Sequence, residues 1–145
     1  MEGLNQRLPA DPDAGFGLYV HWPYCDRICP YWDFDVRRTQ SVDAVAWRAA
    51  YRAEKSYLRT AQGTSAQRLT SIYFGGGTPS LMDPELIAGV IEDATATWGI
   101  ADKAEITVEA NPTSSKTSRF AYYRAVGVNR LSLGIQSMDD EALQF

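Results

Sequence analysis

The sequence predicts an α/β fold built on a parallel sheet. Short apolar runs of strand character alternate along the chain with longer segments of helical character. Such alternation is typical of a parallel sheet covered by helices. The chain has 145 residues, of which 45% are hydrophobic and 12% aromatic, so it can bury the core of one small domain.

The first elements follow from apolar patterning. Residues 18–22 are predicted to form the first strand, and residues 42–58 the first helix, in which Val45, Ala49 and Arg52 have helical spacing. Residues 69–74 are predicted to form the second strand, which runs into a group of glycines. These segments account for the first βα unit and the start of the second.

The second helix has a clear start signal. Asp83 supplies an acceptor for free amide groups, Pro84 suits the first helical position, and Glu85 places an acid at the positive end of the helix dipole. This helix is predicted to end near Trp98. A strand at 105–110, a helix at 115–126, a strand at 129–134 and a helix starting at Asp139 complete about four βα units in an open sheet.

Four segments near the predicted strand ends carry sulfur, glycine or polar side chains: residues 17–25, 72–80, 109–112 and 129–137. Together, and in this order, they resemble the radical S-adenosylmethionine (SAM) superfamily. Within the superfamily, these motifs resemble the branch that holds oxygen-independent coproporphyrinogen III dehydrogenases (oxidases) and the heme chaperone HemW. The resemblance implies an incomplete (β/α) barrel, with residues 17–145 as a truncated core domain after a disordered leader at 1–16.

Cys25 and Cys29 have the spacing of metal-binding or redox-active cysteines rather than of a structural disulfide. In the family that the chain resembles, the motif Cys-x3-Cys-x2-Cys holds a [4Fe–4S] cluster that binds SAM, and its third position is Trp32 here. An indole has no lone pair for iron, so we expect impaired cluster binding. A carboxylate from Asp26 or Asp33 is an alternative third ligand, although carboxylates are hard donors.

The glycine run after the second predicted strand has two interpretations. It either forms a tight strand-to-helix turn or lets a ligand approach the backbone closely. The run lacks the lysine of a P-loop and the spacing of a dinucleotide site, which disfavours ATP and NAD. The resemblance implies contact with the SAM methionyl amino group, and the residues concerned are Gly75, Gly76, Gly77 and Thr78.

Polar side chains at the ends of the later strands are further candidates. The resemblance assigns Glu109 and Gln136 to SAM contact, whereas the alternative is that each is a solvated residue at a strand end. Arg130 is interpreted either as a cation on the ligand side or as the partner of a strand-end acid such as Glu109.

Aromatic residues and one histidine flank the cysteines. The resemblance implies that Tyr19 lines the cofactor pocket and that Tyr31 shields the cluster or SAM, while ordinary packing is the alternative for both. His21 is a candidate heme ligand or proton carrier, or is simply hydrogen-bonded. Trp47, Tyr51 and Tyr57 have near-helical spacing and are interpreted as core or surface packing residues rather than as a cofactor site.

Composition excludes some partners. The net charge of −4 and the pI near 4.9 disfavour nucleic acid, which requires clustered lysine and arginine. No apolar run has the length of a signal peptide or of a membrane span, so we predict a cytoplasmic location.

Three functions remain open at this stage. The first is a heme chaperone that binds heme or a porphyrin and passes heme to respiratory proteins; Phe34 favours it, because the dehydrogenases typically have a fourth cysteine there. The second is a coproporphyrinogen III dehydrogenase. The third is a non-functional truncated protein, since a point mutation or a misread base accounts for Trp32 more simply than an evolved substitution does.

Overall fold

The computed structural model describes residues 15–26, 35–38, 41–112 and 117–144. The strands are Phe16–Trp22 (β1), Tyr24–Cys25 (β2), Arg37–Arg38 (β3), Leu69–Gly76 (β4), Ile100–Ala110 (β5) and Arg130–Leu133 (β6). The helices are Ala44–Ala61 (α1), Pro84–Trp98 (α2) and Thr117–Ala125 (α3).

The main sheet is parallel throughout and has the strand order β1-β4-β5-β6. This confirms the predicted α/β fold and open sheet. The short strands β2 and β3 pair in parallel separately from it. Because all carboxyl ends of parallel strands meet at one edge, the predicted ligand residues are carried toward the same side of the sheet.

Helix α2 forms where it was predicted, because both of its ends are set by local capping. The Asp83 carboxylate accepts a hydrogen bond from the Glu85 backbone N–H at 2.9 Å. Gly99 follows the last turn with a φ of +73° and donates its N–H to the Thr95 carbonyl at 2.7 Å. The inner face of α2 packs on β4 and contributes to the core the buried residues Leu86, Ile87, Val90, Ile91 and Ala94.

Helix α1 uses a different face from the one that its spacing suggested. Val45 is 81% exposed, and Ala49 and Arg52 are exposed as well. Trp47 and Tyr51 pack against the core instead, as the packing interpretation predicted. The larger aromatic side chains bury more apolar area than valine or alanine, so they determine which face turns inward.

Strand β6 lies at the edge of the open sheet and exposes apolar side chains. Within the described ranges it pairs only with β5, and Leu131 and Leu133 are 38% and 45% exposed. An exposed edge of this kind can pair with another strand. The helix predicted from Asp139 is replaced by a short 3-10 turn at Ala142–Gln144, which Asp139 caps through the Glu141 and Ala142 N–H groups.

A cluster of charged side chains joins α1 to α2. Arg48 Nε lies 3.1 Å and Arg52 Nη2 lies 2.8 Å from the Asp93 carboxylate. Burial alone would raise the pKa of Asp93, but the hydrogen bonds from Arg48 and Arg52, together with the positive charges of Lys55 and Arg48, outweigh it and lower the pKa from 3.8 to about 2. The folded state therefore binds this proton less readily than the unfolded chain.

We expect Asp93→Asn to lower the free energy of unfolding at pH 7 by about 1 kcal/mol, since the exposed arginines weaken the ion pairs by solvent screening. Because the folded pKa is depressed, this stabilisation is present above the unfolded pKa of 3.8 and is lost as the pH falls toward about 2. Urea unfolding between pH 7 and pH 2 measures it. The control is Glu92→Gln, because Glu92 contacts the same Arg48 but its side chain is 71% exposed. Equal acid sensitivity of Asp93→Asn and the unaltered chain would contradict the prediction.

In the part of the chain that the structure describes, no helix combines the length and apolar character needed to cross a bilayer.

Candidate functional site

A cavity of about 150 Å³ lies at the carboxyl edge of the sheet. The loop after β4, the end of β5 and the segment after β6 form its walls. Four residues predicted to contact SAM line it together: Gly77, Thr78, Glu109 and Gln136. The parallel topology explains this convergence, since each residue ends or follows a neighbouring strand.

The other predicted SAM residues lie elsewhere. Gly75 and Gly76 belong to the last part of β4 and are buried, outside the lining of the cavity. Tyr19 projects from β1, is 54% exposed and lines a separate groove of about 390 Å³ beside α1. Tyr31 lies outside the described residues.

Gln136 has a strained backbone. It is the one non-glycine residue with a positive φ, +69°, in the described ranges. A left-handed conformation costs a residue with a Cβ about 1–2 kcal/mol. Strain of this kind is found at ligand sites, and the strained turn sets Gln136 in the wall of the cavity.

The glycine run is required by contacts within the chain itself. A Cβ at Gly75 would lie 2.8 Å from the Tyr19 ring, and one at Gly76 would lie 2.7 Å from the His21 ring. At Gly77 it would lie 2.6 Å from the Tyr24 carbonyl oxygen and 2.9 Å from Cys25 Sγ. The glycines therefore allow β1 and β2 to pack on the end of β4. Gly75 and Gly76 lie within β4 rather than in a turn, and contact of the glycine run with SAM stays a prediction.

Two backbone donors of the run are already used. Gly77 donates its N–H to the Trp22 carbonyl at 2.6 Å, and Thr78 donates its N–H to the Tyr24 carbonyl at 2.9 Å. These two groups hold the β1–β2 connection rather than face a ligand. Contact of Gly77 and Thr78 with SAM stays a prediction, and it would involve atoms other than these two N–H groups.

Cys25 is buried on the other side of the same dipeptide. The Thr78 hydroxyl lies 3.4 Å from Cys25 Sγ, within hydrogen-bond reach of sulfur. Cys25 also lines a second cavity, of about 420 Å³, together with the exposed Asp26. Cys29 and Trp32 lie outside the described residues.

The donor set does not fit a cluster held by three thiolates. The whole sequence contains two cysteines. Among the described residues, no group of three or more histidine, cysteine, aspartate or glutamate side chains is placed to hold a metal ion. Asp26, the alternative carboxylate ligand, lies next to Cys25 but is exposed.

Arg130 pairs with Glu105 of β5 and not with Glu109, the acid that the sequence suggested. Its Nη1 lies 3.4 Å from Glu105 Oε1 and 3.3 Å from the Thr107 hydroxyl. Glu109 instead accepts a hydrogen bond from the Tyr73 hydroxyl at 2.6 Å. Sequence reasoning missed Tyr73, because its contact with Glu109 depends on the register between β4 and β5.

His21 is hydrogen-bonded at both its backbone and its ring. Tyr51 donates its hydroxyl to the His21 carbonyl at 2.6 Å, and His21 Nε2 lies 3.4 Å from the Asp35 carbonyl oxygen. The structural alternative for His21 is therefore confirmed, and a role as a heme ligand stays a prediction.

The open parallel sheet, with strands in the order β1-β4-β5-β6 and a cavity at their carboxyl ends, defines an α/β protein in which a candidate ligand site lies at the strand ends. The model of the radical SAM superfamily matches residues 19–145, and the chain belongs to that superfamily. Membership implies a [4Fe–4S] cluster and SAM as the cofactors of the family.

The chain is similar to several relatives. It is 43% identical to radical S-adenosyl methionine domain-containing protein 1, mitochondrial, of Bos taurus, over 97% of this chain and 34% of that protein. It is 35% identical to the heme chaperone HemW of Haemophilus influenzae, over 88% of this chain and 34% of that protein. The chain thus spans about a third of the length of these curated relatives.

A solved structure has the same arrangement of elements. The Escherichia coli coproporphyrinogen III oxidase HemN, a radical SAM enzyme, matches with a TM-score of 0.75 and 25% identity, over 88% of this chain and 29% of that chain. This confirms the incomplete barrel of the radical SAM type, and with the relatives it confirms the predicted HemW and coproporphyrinogen oxidase-like branch.

Proposed function

We propose that the chain has a heme chaperone-like function, in which it binds SAM at the carboxyl edge of the sheet and also binds heme, while its [4Fe–4S] site is impaired by Trp32. The convergence of Gly77, Thr78, Glu109 and Gln136 on one cavity supports the SAM site. The HemW relative and Phe34 support the chaperone role.

The donor chemistry of the cavity suits a nucleoside with a cationic group. The Glu109 carboxylate accepts hydrogen bonds from hydroxyl groups and attracts a sulfonium charge, and the Gln136 side chain offers both an amide donor and an acceptor. When bound, SAM supplies this nucleoside and cation. The protein contributes the walls that orient it.

Heme titration tests the chaperone function. We expect a saturable shift of the Soret band when heme is added to the chain, because a specific site fills at a defined ratio of heme to protein. The control is the same titration of the Trp32→Cys variant, which should give the same heme-binding curve as the unaltered chain. An absorbance change that rises without saturation would contradict a specific heme site.

A second candidate function is oxidation of coproporphyrinogen III, favoured by the match to the Escherichia coli enzyme. Turnover of coproporphyrinogen III by the Trp32→Cys protein would select this function over the chaperone. The cytoplasmic location stays a prediction, because the Bos taurus relative is named as mitochondrial. Transfer of heme to respiratory proteins is part of the proposal.

A further inference from the structure

The Glu109 carboxylate accepts a hydrogen bond from a residue that lies outside the lining of the cavity. Tyr73 is in register with Thr107 of the neighbouring strand, and Glu109 follows two residues later on the same face of β5. The Tyr73 hydroxyl donates to Glu109 Oε1 at 2.6 Å. Glu109 lines the cavity, whereas Tyr73 lies outside its lining.

The phenol is itself fixed by several neighbours. The Tyr19 ring stacks on it with centroids 6.0 Å apart and an angle of 17° between the ring planes. Ser132, which is paired with Glu109 in the β5–β6 register, lies near enough to the phenol to lower its pKa. A Cβ at Gly75 would lie 3.0 Å from the Tyr73 ring, so the glycine leaves just enough room for this ring.

The pKa of the Tyr73 phenol agrees with this geometry. Burial raises it first, and the hydrogen bond to the Glu109 carboxylate raises it further; Ser132 and Arg130 oppose these effects. The phenol therefore stays protonated at neutral pH and remains a donor. One carboxylate oxygen of Glu109 is thus continuously occupied by a donor within the protein.

We propose that Tyr73 is a positioning residue that fixes the Glu109 carboxylate and leaves its second oxygen for a ligand hydroxyl, such as one on the ribose of a nucleoside. A carboxylate oxygen is a strong acceptor for a ligand hydroxyl, and a carboxylate that is already fixed loses less rotational freedom when it binds one. This inference rests on the proposed binding of SAM in the cavity.

Calorimetric titration of the full chain with SAM tests the inference. We expect Tyr73→Phe to weaken SAM binding roughly tenfold, because a hydrogen bond to a charged group is removed and the carboxylate is no longer fixed. The control is Tyr57→Phe, since Tyr57 is 69% exposed on α1, away from the cavity; it should bind SAM as the unaltered chain does.

A double-variant comparison separates positioning from a general structural effect. If Tyr73 acts through Glu109, then Tyr73→Phe should weaken SAM binding little further in a Glu109→Gln background. The Tyr73 phenol, followed by NMR with labelled tyrosine, should also titrate at lower pH in Glu109→Gln.

The outcomes distinguish the two proposals. If the unaltered chain does not bind SAM, the proposed function is overturned together with this inference. If the unaltered chain binds SAM and Tyr73→Phe binds it equally well, or if the two substitutions act additively, only the positioning role of Tyr73 is overturned.

Discussion

Replacement of Trp32 by cysteine is expected to convert a chain that gains little [4Fe–4S] cluster into one that holds it, when both are treated anaerobically with iron and sulfide. Cys25 and Cys29 are the only cysteines in the sequence, and the indole of Trp32 offers iron no lone pair. A third thiolate would complete the Cys-x3-Cys-x2-Cys spacing of the superfamily. Iron and sulfide per chain, together with visible absorbance, measure the gain, which we expect to be several-fold.

The matched control is Trp32→Ser. Serine is close to cysteine in size and also removes the indole, but a hydroxyl is a much poorer ligand than a thiolate for an iron–sulfur cluster. It should therefore load as little cluster as the unaltered chain. Equal and full loading of the unaltered chain and Trp32→Cys would show that a third thiolate is not needed, which would remove the argument for impairment.

The second large effect is expected at Gly76. Substitution by alanine should lower the free energy of unfolding by about 3 kcal/mol or more, because strain and steric overlap act together. Gly76 has a φ of +112°, and an added Cβ would lie 2.7 Å from the His21 ring and 2.7 Å from the Trp22 carbonyl oxygen. Urea unfolding of the purified chain measures the loss.

Gly63 provides the control because it shares the conformational constraint without the crowding. Its φ is +64°, and a Cβ there would meet nothing within 4 Å. Gly63→Ala should cost about 1 kcal/mol, the usual cost of a left-handed residue. Similar losses at both positions would show that backbone conformation alone, and not packing against β1, accounts for the requirement at Gly76.

Local signals were sufficient to predict α2 but not the full extent of β5. The caps at Asp83 and Gly99 act within a few residues of the helix ends, so they are visible in the sequence. Strand β5 begins at Ile100 rather than at residue 105 because Ile100 pairs with Leu69 across the sheet. The exposed Asp102 and Lys103 interrupt the apolar pattern, so the sequence does not indicate that the strand begins at Ile100.

The candidate site was predictable at the level of strand ends. Glu109 and Gln136 could be placed there because each follows an apolar run, and parallel strands bring such residues to one edge. The contact between Tyr73 and Glu109 could not be predicted, since it depends on strand register. The role of the glycines was also hidden, because the atoms that crowd them belong to distant residues.

Gly77 and Thr78 belong both to the cavity wall and to the support of Cys25. A ligand that moves this dipeptide also moves the hydrogen bonds that hold the cysteine segment. If Cys25 holds metal and the cavity holds a ligand, as proposed, thermodynamic linkage makes such an effect mutual: the factor by which the ligand changes the metal affinity equals the factor by which the metal changes the ligand affinity. An affinity measured at either place is therefore defined only for a stated occupancy of the other.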